Sequence, residues 1–193
     1  MFHVKHRGAE AHLADLLTTH RALLTRFRDS MNLIGPGDLE LHYRDADLSL
    51  AWLEPRGTWA DLGTGAGFPG IPFAARFPNV ALDLVDSRQK RTIFLEKALA
   101  EAELGDRAPL RVLRTRVEEL PSDSYDGLIA RAFAPPPKLL QHARRLLHSG
   151  GTVVLFLQHD TPVPEVEDFE VFHVEHYEVA AKRRRAVGLR YRG

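Results

Sequence analysis

Asp61-Leu62-Gly63-Thr64-Gly65-Ala66-Gly67 sets three glycines at alternate positions behind a carboxylate. The stretch follows the short run Thr58-Trp59-Ala60 and precedes Phe68-Pro69-Gly70-Ile71-Pro72-Phe73-Ala74-Ala75, which reads as a helix. Glycines in a strand-to-helix turn let main chain approach a ligand closely, because no Cβ intervenes. A dinucleotide fingerprint requires a further glycine where this chain has Phe68. The D-x-G-x-G-x-G spacing therefore points away from a nicotinamide enzyme and toward a site for S-adenosylmethionine (AdoMet). A tight strand–helix turn without a ligand is the competing reading of a glycine string on its own.

A cofactor site of this kind needs an acid at the end of the next strand. Ala81-Leu82-Asp83-Leu84-Val85-Asp86 supplies one, with Asp86 standing 23 residues after Gly63. In a doubly wound sheet the carboxyl ends of neighbouring strands converge on one crevice, where a carboxylate can accept ribose hydroxyls. Asp86 or Ser87 can equally cap the helix beginning near Arg88, and the two roles are compatible. The third strand ends in Arg114-Thr115-Arg116-Val117-Glu118-Glu119, where an adenine ring would lie against backbone; alone, this segment is indistinguishable from a helix start. Tyr125–Ala130 delivers Arg131-Ala132-Phe133 to the same edge. Arg131 there could grip the methionine carboxylate, a substrate phosphate or a neighbouring acid.

The elements that must hold these residues follow from periodicity. Leu13, Leu16, Leu17, Leu23, Leu24 and Phe27 recur at helical spacing, predicting an amphipathic helix over about 8–31. Gly35-Pro36-Gly37 breaks it, and Asp38 is a candidate N-cap for a second helix reaching Leu53. Beyond Pro55-Arg56-Gly57, strands are expected at 58–62, 80–86, 110–115, 125–130 and 151–158, with helices at 69–77, 88–104 and 136–147. This alternation predicts an α/β, Rossmann-like, doubly wound and mostly parallel sheet. Phe169–Val179 and Arg185–Arg192 read as a terminal hairpin turning near Ala180-Ala181-Lys182, which brings the sheet to seven strands. The expected organisation is a helical extension over 1–55 and one compact domain over 56–193. Phe2-His3-Val4-Lys5-His6 and Phe172-His173-Val174-Glu175-His176 are near copies, too short and too distant to form a structural repeat, and carry no evident protein-level reason.

With 193 residues and no cysteine, the chain lacks disulfides, thiolate metal sites and any cysteine nucleophile. Its longest apolar run, Val153–Leu157, is far too short to cross a bilayer, and Met1 is not followed by a secretory signal pattern, so a cytoplasmic protein is expected. The ten histidines show no metal-ligand spacing, and no metal is expected. Net charge is zero, but Asp160–Glu178 holds seven acidic and no Lys or Arg residues, while Lys182–Gly193 holds six basic and no acidic ones. Arg88, Lys90 and Arg91 form a second basic group and Arg111, Arg114 and Arg116 a third. Such groups are either solvated surface or, gathered on one face, a footprint for phosphates.

Asp61–Pro72, then Val85-Asp86-Ser87 with Lys90-Arg91 and Phe94-Leu95, then Arg116–Glu119, then Ala130–Ala134, together resemble the RsmG family, also called glucose-inhibited division protein B. The agreement in order and spacing runs from about Asn32 to Gly151. The resemblance implies AdoMet-dependent methylation of guanine N7 in small-subunit ribosomal RNA, with the RNA or the 30S particle as partner and no obligate protein partner. It puts Gly63, Phe68, Val117-Glu118 and Arg131 on cofactor-binding positions, beside Asp61, Gly65 and Asp86 from the motif reading. It aligns Asn32-Leu33, and His42 with Asp45, with an Asn-Leu and a His-x-x-Asp of the family's helical prefix. Asn32 and His42, with Arg88, Lys90, Arg91, Arg184 and Arg185 from the basic groups, are the expected RNA contacts. Phe27-Arg28, Ala46 and Leu157-Gln158-His159 depart from the family's Trp-Asn, Ser and Leu-Lys-Gly.

The implied chemistry needs no catalytic side chain. Guanine N7 bears a free lone pair and no proton, so the protein has only to place the sulfonium methyl in line with it. The cysteine of carbon-5 pyrimidine methylation is absent, and Ala134-Pro135-Pro136-Pro137 is no substitute for the Asn/Asp-Pro-Pro-aromatic motif of amino-group methylation. Two rivals stand beside this reading: a small-molecule AdoMet methyltransferase, and a divergent homologue that binds AdoMet or RNA without turnover.

Overall fold

The computed structural model describes residues 4–193, with side chains from Asp15 onward. Two helices, α1 (Val4–Phe27) and α2 (Leu39–Leu50), precede β1 (Thr58–Leu62), α3 (Gly70–Arg76), β2 (Ala81–Val85), α4 (Gln89–Glu101), β3 (Leu110–Leu113), β4 (Tyr125–Ala130), α5 (Pro136–Leu146) and β5 (Leu147–Gln158). The hairpin of β6 (Phe169–Val179) and β7 (Lys182–Tyr191) completes one seven-stranded sheet in the order β3-β2-β1-β4-β5-β7-β6. The first five strands are parallel, and β7 alone runs against its neighbours β5 and β6. This is the mostly parallel, doubly wound sheet the alternation predicts.

Strand order reverses between β1 and β4, so the chain turns outward on both sides at the carboxyl end of β1. That switch point is where doubly wound sheets open a ligand crevice. β1 and β2 are buried along nearly their whole length because helices cover both faces. On one face Leu16, Leu23 and Leu24 of α1 and Tyr43 and Leu50 of α2 share a core with Trp59, Phe73, Leu84 and Phe94. On the other, Leu139, Leu140, Ala143 and Leu146 of α5 pack on Leu62, Leu128 and Val153.

The ends of the prefix helices have local causes. α1 continues through a turn that closes on Asn32, whose φ is 51°. The amide of Leu33 donates to the Arg28 carbonyl (3.0 Å) and that of Asn32 to the Asp29 carbonyl (3.3 Å). This is a Schellman stop with Leu33 buried beneath it, and asparagine tolerates the left-handed conformation it requires. Asp38 caps α2 as expected, accepting from the amide of Glu40 (3.0 Å), but α2 stops at Leu50, short of Leu53. Toward the other end of the chain, β5 begins at Leu147, four residues before the expected start at 151, with a register shift against β4 between Tyr125 and Gly127.

The hairpin turns on Ala180 and Ala181, both left-handed at φ 49° and 57°. Two positive φ values at a two-residue hairpin loop define a turn that favours Asn-Gly, and a side chain there costs about 1–2 kcal/mol per residue. The double substitution Ala180→Asn/Ala181→Gly is expected to raise unfolding free energy by about 1–2 kcal/mol, read as a shift in urea midpoint; a fall in that midpoint would contradict the turn.

Candidate functional site

The glycine bend leaves β1 with Gly63, Gly65 and Gly67 at φ 69°, 62° and 96°. At Gly63 a Cβ would stand 2.5 Å from the Phe133 ring, so the position is closed to any side chain as well as conformationally restricted. Three side chains fix the main chain of the bend. Asp86, at the end of β2 and almost wholly buried, accepts from the amides of Gly65 (3.1 Å) and Arg88 (2.8 Å) and from the Arg91 guanidinium (3.1 Å). It thereby ties the bend to the amide of Arg88, the residue just before α4, whose first turn receives no side-chain cap from the described residues. Asp61, buried within β1, accepts from the amide of Gly70 (2.8 Å) and so holds the start of α3. Burial pushes the Asp61 carboxyl up to about 7, against the opposing pull of the Thr64 hydroxyl and the Gly70 amide.

The third anchor comes from the prefix. His20 of α1 is fully buried, with Nε2 2.7 Å from the Ala66 carbonyl and Nδ1 2.6 Å from the Tyr43 hydroxyl. A carbonyl can only accept, so Nε2 carries the proton and Nδ1 accepts from Tyr43. Burial lowers the imidazole to about 4 and keeps it neutral. His20 lies on the apolar stripe of α1, four residues after Leu16, and a polar side chain on that stripe is the signal that could have found it.

Beside the bend lies a crevice of about 410 Å³ at the carboxyl ends of β1 to β4, within the roughly 300–1,000 Å³ of small-molecule sites. Gly63, Asp86, Val117 and Glu118 line it, and with them Phe133, Lys138 and His142. Val117–Glu119 forms a short 3-10 turn, so the segment after β3 is both a helix start and a crevice wall. Arg145 of α5 clamps that turn, donating to the carbonyls of Leu120 (2.5 Å) and Val117 (2.6 Å). Burial holds the His142 imidazole below its ordinary range. Nothing in the spacing of α5 marks Lys138, His142 or Arg145, because a solvent-facing helix carries such residues routinely.

Not all the expected site residues meet there. Phe68 is buried among His20, His42 and Tyr43, and Arg131 stacks over it with its guanidinium 5.2 Å from the ring centre. Arg131 donates to Asp45 of α2 (2.8 Å) and lies 3.4 Å from His42 Nδ1; Arg184 of β7 reaches the same carboxylate at 3.3 Å. The neighbouring acid, one of the three partners open to Arg131, is thus engaged by it. Burial and the adjacent Arg131 hold His42 below the usual imidazole range. This second cluster bolts the prefix to the carboxyl edge of the sheet, next to the crevice but outside its lining.

The expected RNA contacts also divide. Asn32 is exposed and serves as the α1 stop. Arg91 reaches into the crevice to Asp86, Arg184 is engaged by Asp45, and Arg185 donates to the Thr161 carbonyl. Arg111 of the third basic group is bidentate on buried Asp83. Arg88 and Lys90 are exposed, and Arg88, Arg116 and Lys138 are on the crevice lining. No group of His, Asp or Glu side chains suited to a metal occurs among the described residues.

Residues 14–184 match the model of the GidB family, described as rRNA small subunit methyltransferase G. The ribosomal RNA small subunit methyltransferase G of Novosphingobium aromaticivorans is 37% identical over 180 residues, covering 86% of this chain and 72% of its own. That of Paracoccus denitrificans is 35% identical over 144 residues, covering 72% and 73%. Among solved structures, P. horikoshii TYW2 in complex with MeSAdo superposes with a TM-score of 0.58 at 13% identity, over 83% of this chain and 65% of that one. The mitomycin 7-O-methyltransferase MmcR gives 0.59 at 14% identity, over 78% and 54%. These structures share the fold.

The contribution of His20 has a defined pH signature. Its folded value of about 4 lies below the ordinary 6.5, so between those values the unfolded chain binds a proton that the folded one refuses. The stabilisation it gives is complete above pH 6.5 and is lost as pH falls toward 4. The stability advantage of the wild type over His20→Leu is therefore expected to shrink over that window by on the order of 3 kcal/mol. The Asp61 titration, which runs in the opposite sense, is common to both proteins and cancels in the difference. Urea denaturation at stepped pH measures this, and an advantage constant from pH 7 to 4 would show that His20 is not buried neutral.

Proposed function

The chain belongs to the rRNA small subunit methyltransferase G family, and from that premise we propose that it transfers a methyl group from AdoMet to N7 of a guanine in small-subunit ribosomal RNA. The observation that carries this reading is the crevice itself: a side-chain-free bend at Gly63 and a carboxylate at Asp86 on adjoining strand ends, under a cationic rim. AdoMet is the cofactor and supplies, when bound, an electrophilic methyl on its sulfonium. Gly63 and Gly65 admit it close to main chain, and Asp86 offers acceptor positions to the ribose hydroxyls. The Val117–Glu118 turn, Phe133 and His142 wall the end that suits the adenine. Asp61 acts by holding the bend rather than by touching the ligand, and Phe68 and Arg131 by fixing the prefix beside it.

Methyl transfer to N7 asks for proximity and alignment, with no proton to remove. That requirement agrees with a crevice whose buried carboxylate, Asp86, is engaged by the amides of Gly65 and Arg88. Arg88, Lys90, Arg116 and Lys138 stand where phosphates of a loop presenting its guanine would pass, and binding through them should weaken steeply with salt. The substrate is rRNA, free or within the 30S particle, so the protein works in the cytoplasm. No helix among the described residues is long and apolar enough to cross a membrane.

Mass analysis of small-subunit rRNA from a strain lacking the gene tests the assignment. One 7-methylguanosine should disappear and return with the wild-type gene, but not with Gly63→Arg. Full methylation persisting without the gene would refute it.

A further inference from the structure

A second and larger cavity, of about 780 Å³, lies at the opposite end of the sheet, beneath the amino ends of β1 and β4. Ligands of doubly wound sheets bind at the carboxyl ends, so this cavity has no part in the crevice chemistry. Its wall is aromatic. Trp52, just after α2, stacks on His173 of β6 with centroids 4.2 Å apart and planes at 18°, and meets the Phe172 ring edge-on at 5.8 Å. Arg190 of β7 lies over the other ring of this wall, 4.8 Å from the centre of Phe172.

The backbone is shaped to make that wall. β6 is bulged between Val171 and His173, leaving Phe172 outside the ladder with β7. A bulge re-aims side chains, and this one brings two successive residues, Phe172 and His173, onto Trp52. Opposite the bulge, Gly188 leaves space that a Cβ would deny: it would stand 2.6 Å from the Trp52 ring and 2.9 Å from that of Phe172. Phe172 nevertheless remains 43% exposed, with its ring open to the cavity and to solvent. The second of the two near-copied segments thus has a protein-level role; the first begins in residues outside those described.

The rim is polarised. Arg56 and Arg190 are exposed cations on the lining, while Glu54 and Asp126 present carboxylates on the same rim. One oxygen of Asp126 accepts from the amide of Thr58 (2.7 Å), leaving the other for a ligand donor. We propose that this amino-edge cavity is a nucleotide-binding site, in which a base stacks on the Phe172–Trp52 wall, its ring N–H or amino group donates to Asp126 or Glu54, and its phosphate pairs with Arg56 and Arg190. Aromatic planes interleaved with arginines are the pattern that receives unpaired bases. The chemistry is the same for a free nucleotide and for an unpaired nucleotide of an RNA strand. The inference rests on the amino edge alone and stands independently of the methyl-transfer reading.

The chain has two tryptophans, Trp52 and Trp59, and both line this cavity, so intrinsic fluorescence reports on it directly. The test titrates the intact protein, its crevice blocked with S-adenosylhomocysteine, with GMP and separately with a short single-stranded oligoribonucleotide. Saturable quenching by at least one probe is expected, with affinity reduced about fivefold or more by Phe172→Ala and by Arg56→Ala. Arg56→Ala leaves the aromatic wall intact, so the test holds even if Phe172→Ala disturbs the hairpin. Similar affinities for the two probes identify a free nucleotide as the occupant, and a much tighter oligonucleotide identifies an RNA strand. Absence of saturable quenching by both probes at millimolar concentration, or quenching unchanged in Arg56→Ala, would overturn the proposal.

Discussion

The architecture depends on holding a glycine bend in a shape that its own residues do not prefer to keep. Gly63, Gly65 and Gly67 all sit in the left-handed region, and glycine loses the most conformational entropy when it is fixed. The bend stays in place because main chain in and after it is tied from three directions: Asp86 accepts from the Gly65 amide, His20 donates a hydrogen bond to the Ala66 carbonyl, and Asp61 accepts from the Gly70 amide. Each anchor is buried, so each would leave an unsatisfied group behind if its partner moved. A crevice bordered by such a bend is formed before its ligand arrives, which reduces the ordering that binding must impose.

This arrangement explains why the helical prefix belongs to the site. His20 and Tyr43 lie on α1 and α2, and Asp45 of α2 is gripped by Arg131 at the end of β4 and by Arg184 of β7. The prefix therefore anchors the bend and both halves of the carboxyl edge. Removing one partner from such a buried charge cluster is far more damaging than removing a surface pair, because the remaining charge has lost its compensation. Arg131 and Phe68 are part of this frame.

Much of the fold was legible because glycines, prolines and apolar periods mark element ends locally. Asp38 read as an N-cap and is one; β1 and β4 span the residues their apolar runs delimit. The Ala180-Ala181 turn lacked the Asn-Gly that normally announces its type, so its position was visible but its conformation was not. Gly63 and Asp86 were readable as neighbours in one crevice because each sits at a strand end that topology brings there, whereas the Val117-Glu118 pair was singled out by the family resemblance. His142, Lys138 and Arg145 were not, since a helix reads as amphipathic whether its polar face meets water or a ligand. The same blindness applied to the basic groups: linear clustering put Arg91 with Arg88 and Lys90, and Arg111 with Arg114 and Arg116, as cations, whereas buried Asp86 and Asp83 engage Arg91 and Arg111 as ion pairs.

A crystal structure with AdoMet or S-adenosylhomocysteine bound tests the central claim most directly. The account predicts the ligand between the Gly63 bend and the Val117–Glu118 turn, ribose hydroxyls on Asp86, and a bend superposing on its unliganded form. A bend that rebuilds on binding, or a nucleoside lodged away from Asp86, would contradict it.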